Sequence, residues 1–172
     1  MESLRYMNDL VEPLMSALER YSARIAISEV RGAERVDSAS FGEIHELSSL
    51  IRSELVGYSL QPGDPVILYQ RRSLEQVASM IAILEAGGYF CPIDPRMPIT
   101  YVPSLLARTG SGIVLVDEST LPALDGKDLS PARIAVVSRT GLSLYGGAWR
   151  REASCLAKMV HLRDTACCLF TS

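Results

Sequence analysis

Few residues of this 172-residue chain stand where chemistry is done. Glu75, Glu85 and Asp94 are separated carboxylates without a visible partner. General acid–base work needs a second group within reach, so the three read as surface or capping residues. His45 and His161 lie far apart and lack ligand-like neighbours, which argues against a metal site. The four cysteines are Cys91, Cys155, Cys167 and Cys168. None forms a C-x-x-C pair, and Cys167 and Cys168 would face opposite sides of a strand. They read as reduced core thiols of a cytoplasmic protein. No G-x-x-x-x-G-K-[ST], no strand followed by G-x-G-x-x-G and no G-x-S-x-G is present. What remains is the ending DTACCLFTS, an apolar run closed by Thr171 and Ser172.

Composition narrows the class. Hydrophobic residues make up 48% and charged residues 22%, as in a globular domain with a sizeable core. The net charge of −3 supplies no basic field for nucleic acid. Arg71-Arg72 and Arg150-Arg151 are isolated pairs that read as solvated surface. No apolar run approaches the ~20 residues that span a bilayer, and MESLRYMNDLVEPLM lacks the order of a secretory signal. No repeat or low-complexity linker divides the chain.

The elements alternate. Leu10, Leu14, Leu18 and Tyr21 predict a first helix, with Asn8 or Asp9 as cap and Pro13 near its first turn. Arg24–Ser28 predicts a strand, paired with Val36–Ala39. Ser40 and Glu43 form an S-x-x-E capping box ahead of Ile44, Leu47, Ile51 and Leu55, so a helix should fill 41–56. A turn at Gln61-Pro62-Gly63-Asp64 leads to the apolar strand Val66–Tyr69. Ser73 and Gln76 form a second box before the stripe Leu74, Val77, Ile81, Leu84, and Gly87 and Gly88 end that helix, the first as a left-handed cap. Tyr89–Pro92 is a short strand, 91–98 a proline-stiffened loop in which Asp94 caps backbone N–H groups, and Ile99–Arg108 a helix. Gly112–Val116 and Arg133–Val137 are buried-type strands, and Ala166–Phe170 is a final one. Residues 138–163, with Gly146-Gly147 and Trp149, carry no clear period. The expected fold is α/β: a mostly parallel sheet with helices on both faces. Ligands of such sheets sit beyond the carboxyl ends of the strands, where Thr171 and Ser172 would lie.

Three stretches together resemble one family. LEAGGYFCPIDPRMP (84–98) resembles the L-K-A-G-x-A-Y-x-P-I-D-P-x-x-P run of adenylation domains in nonribosomal peptide synthetases, members of the adenylate-forming ligases. QPGDPVILYQRRSLEQVASMIAILEAG (61–87) is similar to the stretch before it, and SFGEIHELSSLI (40–51) to the early S-Y-x-E-L motif. LFTS (169–172) resembles the first half of the family's phosphate loop, Y-T-S-G-S-T-G-x-P-K-G. The resemblance covers nearly the whole chain in the right order. It implies that residues 1–172 are a single partial domain, the amino-terminal portion of an adenylation domain ending at the start of the phosphate loop. The whole domain would use ATP and Mg2+ to form an acyl-adenylate from an amino or carboxylic acid, then pass the acyl group to a phosphopantetheine thiol. Thr171 and Ser172 would contact phosphate, no catalytic residue or metal ligand would fall in the chain, and ATP would not bind it tightly. Its partners would be the rest of the domain or neighbouring synthetase and carrier domains, with no nucleic acid and no membrane. The long 138–163 segment departs from the family's pattern and reads as an insertion or a misjoined segment.

Two further readings stay open. One is a non-catalytic interaction module, or half of a split enzyme, whose sheet edge seeks a partner chain. The other is an unrelated small α/β binding domain of flavodoxin-like type, which the strand–helix rhythm allows but which leaves 61–98 unexplained.

Overall fold

The computed structural model describes residues 3–31, 34–125 and 127–145. The first helix, α1 (Ser3–Arg20), begins well before Asn8 and carries Pro13 in its interior. This differs from the expected start at Asn8 or Asp9. The spacing Leu4, Met7, Val11, Leu14, Leu18 prolongs the helical stripe upstream, and Pro13 sits on the exposed side. Leu14, Met15 and Leu18 pack on the core, whereas Leu10 and Tyr21 are exposed.

The strands β1 (Ile25–Arg31) and β2 (Glu34–Ser40) form an antiparallel hairpin of their own. Ser40 then starts α2 (Phe41–Gly57) with the expected box. The Glu43 N–H donates to Ser40 Oγ at 3.2 Å, and the Ser40 N–H donates to Glu43 Oε2 at 2.7 Å. Ile44, Leu47, Ile51 and Leu55 are all buried, as their stripe predicts. Ile51 and Leu55 are fully covered, each contributing about 1.5–3 kcal/mol relative to exposure.

The main sheet contains β3 (Pro65–Tyr69), β4 (Tyr89–Pro92), β5 (Ile113–Asp117), β6 (Arg133–Ser138) and β7 (Gly141–Leu144). Its order is β4-β3-β5-β6-β7. The first four run parallel, and β7 pairs antiparallel with β6. That last strand lies in the stretch without a sequence period. Along each buried strand the side chains alternate between two cores. Val66, Leu68, Ile113, Leu115, Ala135 and Val137 meet α2 and α3 (Leu74–Glu85). Ile67, Tyr69, Val114 and Val116 meet α4 (Val102–Thr109), Leu124 and Leu129. Burial on both faces is why these strands read as continuous apolar runs.

The second capping box is only half formed. Ser73 Oγ accepts from the Gln76 N–H at 3.3 Å. The Gln76 side chain, instead of returning to the cap, donates to the Gln70 carbonyl at 3.2 Å. At the other end of α3 the cap is as expected: Gly87 has φ +84°. The Gly87 N–H donates to the Leu84 carbonyl and the Gly88 N–H to the Ile83 carbonyl, a Schellman closure. Arg139, in the β6–β7 turn, ties the hairpin to the sheet. Its guanidinium pairs with Asp37 of β2, and its Nε lies 2.6 Å from Glu75 Oε1 of α3.

Candidate functional site

The order β4-β3-β5-β6 has one topological consequence. The chain leaves β3 through α3 toward β4, and leaves β5 in the opposite direction toward β6. Between β3 and β5 the connections therefore diverge, which opens a crevice at the carboxyl ends of the strands. An open cleft of about 710 Å³ lies there. Its walls come from the three loops that leave β3, β4 and β5: Tyr69–Arg72, Pro92–Arg96, and Ser119, Thr120 and Ala123, with Gln76 and Met80 of α3.

Hydrogen bonds join these loops. Asp117, the last residue of β5, accepts the Arg71 N–H on Oδ2 at 2.6 Å. On Oδ1 it accepts the Ser119 and Thr120 N–H groups at 2.8 and 2.9 Å. The Thr120 hydroxyl donates to the Tyr69 carbonyl at 2.8 Å. The β3 and β5 loops are thereby locked together. The sequence reading passed over Asp117, although an Asx turn in V-D-E-S-T after an apolar strand is a recognisable signal.

The β4 loop is fixed in two ways. The Tyr69 hydroxyl lies 3.1 Å from the Pro95 carbonyl and 3.0 Å from the Met97 carbonyl. Burial raises the pKa of this phenol, with the Asp94 charge adding to the effect. Asp94 itself accepts the Arg96 N–H at 2.9 Å, in the local capping role expected for it. Arg96 Nε adds bonds at 3.0 and 2.8 Å to the two carboxylate oxygens. The Arg96 side chain, then its backbone N–H, pull the Asp94 pKa down to about 2.

Gln70 forms the floor. It is fully buried, and its Nε2 donates to Ser79 Oγ at 3.3 Å. Its Oε1 has no donor among the described residues. On the rim stand Arg71, Arg72 and Arg96, all exposed. As an isolated pair in the sequence, Arg71 and Arg72 suggest plain solvated surface. They are exposed, but the topology brings them into the same cleft as Arg96.

The other candidates fall elsewhere. Glu75 is paired with Arg139, and Glu85 lies at the far end of α3. Cys91 is buried in β4. Thr171, Ser172, the run Ala166–Phe170, Gly146-Gly147, Trp149, His161 and the other three cysteines lie outside the described residues. Among the described residues no group of His, Cys, Asp and Glu is arranged to hold a metal ion, and no helix is long and apolar enough to cross a membrane. Among the described residues the cleft presents three arginines over a polar floor, and its Ser119 hydroxyl donates to Asp117 Oδ1.

Comparison with known proteins gives these features a context. The nonribosomal peptide synthetase NPS2 of Ceriporiopsis subvermispora is 32% identical over 104 residues, which is 60% of this chain and 4% of that protein. The chain thus spans a small fraction of the synthetases that it matches. The crystal structure of IdnL1 superimposes with a TM-score of 0.65 over 84% of this chain and 30% of that one, at 21% identity. NpsA-ThdA, an artificially fused adenylation–PCP di-domain from Klebsiella oxytoca, matches with a TM-score of 0.54 over 62% of this chain and 19% of that one, at 22% identity. The family model described as AMP-binding enzyme matches residues 15–172. Three stretches of sequence, a doubly wound sheet with its cleft at the switch point, and that match agree: the chain belongs to the AMP-binding enzyme family, as an amino-terminal piece of an adenylation domain.

Proposed function

We propose that the chain serves an ATP-dependent ligase that activates an amino or carboxylic acid as its acyl-adenylate for transfer to a phosphopantetheine thiol, in nonribosomal peptide synthesis. The observation that supports this most is the family match over 15–172, which includes the specific 61–98 block. In this reading residues 1–172 form one partial domain, whose natural partners are the remainder of the adenylation domain and a neighbouring carrier domain, in the cytoplasm. Thr171 and Ser172 begin the phosphate loop of the full domain. The described residues supply neither that loop nor a cluster for Mg2+, so no step of the reaction is assigned to them. Their role is to build the sheet from which the loop emerges. The isolated chain is then inactive, because the donors that stabilise transferred charge are missing.

The alternative role, a non-catalytic module or half of a split enzyme, draws on the outer strand β7. Among the described residues it is the last strand of the sheet, with Leu144 and the following Tyr145 exposed, and open sheet edges recruit partners. The native product that carries peptides from 61–98 decides between the two. Intact mass spectrometry and immunoblotting should find it far above 18.8 kDa. A native product of that mass would sink the ligase reading in favour of the module. Residues 1–172 alone should show no acid-dependent ATP–pyrophosphate exchange, and robust exchange with any amino acid would refute the inactive-fragment reading.

A further inference from the structure

The cleft between the β3, β4 and β5 loops is itself a binding site in search of a ligand. We propose that it holds the phosphate group of a phosphate monoester with an aliphatic, hydroxylated body. This inference stands independently of the ligase reading, because the described lining of the cleft falls within residues 69–123.

Charge comes first. The chain as a whole is acidic, at −3. Four charged residues line the cleft: Arg71, Arg72, Arg96 and Asp94. Arg96 and Asp94 satisfy each other through paired hydrogen bonds. The guanidiniums of Arg71 and Arg72 hydrogen-bond to no described residue, although the Arg71 backbone is anchored on Asp117. Two guanidiniums without a hydrogen bond to any described residue remain beside the Asp94–Arg96 pair, although the Arg72 charge also acts on Asp94. A phosphate monoester carries close to two negative charges at neutral pH, its second pKa being about 6. Its oxygens accept the forked donors of arginine in pairs. A carboxylate supplies one charge only.

The rest of the lining selects the body. The cleft volume suits a small organic ligand. Among the described residues Tyr69 is its one aromatic lining residue, and it is buried with its hydroxyl directed at the Pro95 and Met97 carbonyls. It offers no open face for a base to stack on. The apolar lining is Met80, Pro92, Ile93, Pro95 and Ala123, all aliphatic. Beneath them, Gln70 Oε1 lacks a donor. Buried acceptors are rarely left so, and a ligand hydroxyl reaching the floor would supply the missing bond.

The test is an amide-resolved NMR titration of the 172-residue chain with inorganic phosphate, then with glycerol phosphate, at constant ionic strength. Saturable shifts at Arg71, Arg72, Gln76 and Arg96 are expected, with glycerol phosphate binding more tightly. The double substitution R71Q/R72Q should weaken phosphate binding by at least about tenfold, the worth of one charged hydrogen bond. Arg52, exposed on α2, provides a control, and R52Q should leave binding unchanged. Both arginines of the test pair are exposed, so a native-like spectrum of the variant verifies the fold. An equal response to chloride, no saturation, or undiminished binding in R71Q/R72Q would overturn the site. AMP binding more tightly than glycerol phosphate through the same amides would overturn the aliphatic assignment.

Discussion

Gly88→Ala should destabilise the protein, contrary to what the backbone angle alone implies. Gly88, unlike Gly87, does not occupy the left-handed region. Where a glycine has ordinary angles, alanine usually stabilises by about 0.4–1 kcal/mol through the unfolded chain. Here the added Cβ would stand 2.9 Å from the Asp64 carbonyl oxygen, 3.2 Å from Ile83 Cγ2 and 3.4 Å from Leu60 Cδ2. Ile83 is fully buried and Leu60 nearly so, and neither has room to withdraw. The Asp64 carbonyl also accepts the Tyr89 N–H at 3.0 Å, at the start of the β3–β4 ladder. Overpacking costs about 1–3 kcal/mol, and a displaced ladder bond about 1 more. The sum, about 2–4 kcal/mol, corresponds to a fall in Tm of about 4–16 °C for a chain of this length. Thermal and urea unfolding followed by far-UV circular dichroism would measure it. Gly63→Ala is the control: its φ is +86° but nothing lies within 4 Å of the added Cβ, so it reports backbone strain alone, about 1–2 kcal/mol. If G88A proves as stable as the native chain, or more so, the close-approach argument is wrong. Confirmation would mean that Gly88 of the A-G-G-Y-F-C-P-I-D-P run serves packing, beside the left-handed cap at Gly87.

Two further predictions concern protons. The Ser40 backbone N–H, then its hydroxyl, hold the Glu43 pKa below its usual value, so the stability due to this box is present above the unfolded pKa of about 4.3 and is lost as pH falls through the lower folded value. S40A should remove part of that acid sensitivity and cost about 1 kcal/mol through the lost N-cap hydroxyl; an unchanged acid limb in urea titrations would contradict the assignment. Asp94 should titrate near 2 in carboxyl-carbon NMR, its contribution present above the unfolded pKa of about 3.9 and lost progressively as pH falls toward the folded value, and R96Q should return the pKa part of the way toward about 3.9. A carboxyl as depressed in R96Q as in the native chain would show that the Arg96 side chain is not the leading cause.

Much of the fold was legible because its elements are encoded locally. The S-x-x-E box at Ser40, the stripe through Leu55 and the left-handed Gly87 each depend on neighbours a few residues away, and each appears where the spacing placed it. Local reading failed where distant groups compete. The Gln76 side chain serves the Gln70 carbonyl rather than its own cap. Strand β7, GLSL, is only four residues long, too short for its alternation to stand out, and is held by pairing with β6.

The site divides along the same line. The sequence by itself determined that four apolar strands would stack into a parallel sheet and that the loops after them would face one end, because continuous apolar runs demand cover on both faces. It also carried the family's motifs. Only the tertiary structure decided that β5 lies beside β3 on the side opposite β4. That order brings the Asp117 carboxylate to the Arg71 amide across 46 positions of chain, and sets Arg71, Arg72 and Arg96 around one cleft. Strand order depends on how crossovers pack against a finished sheet, and no local pattern of residues records it.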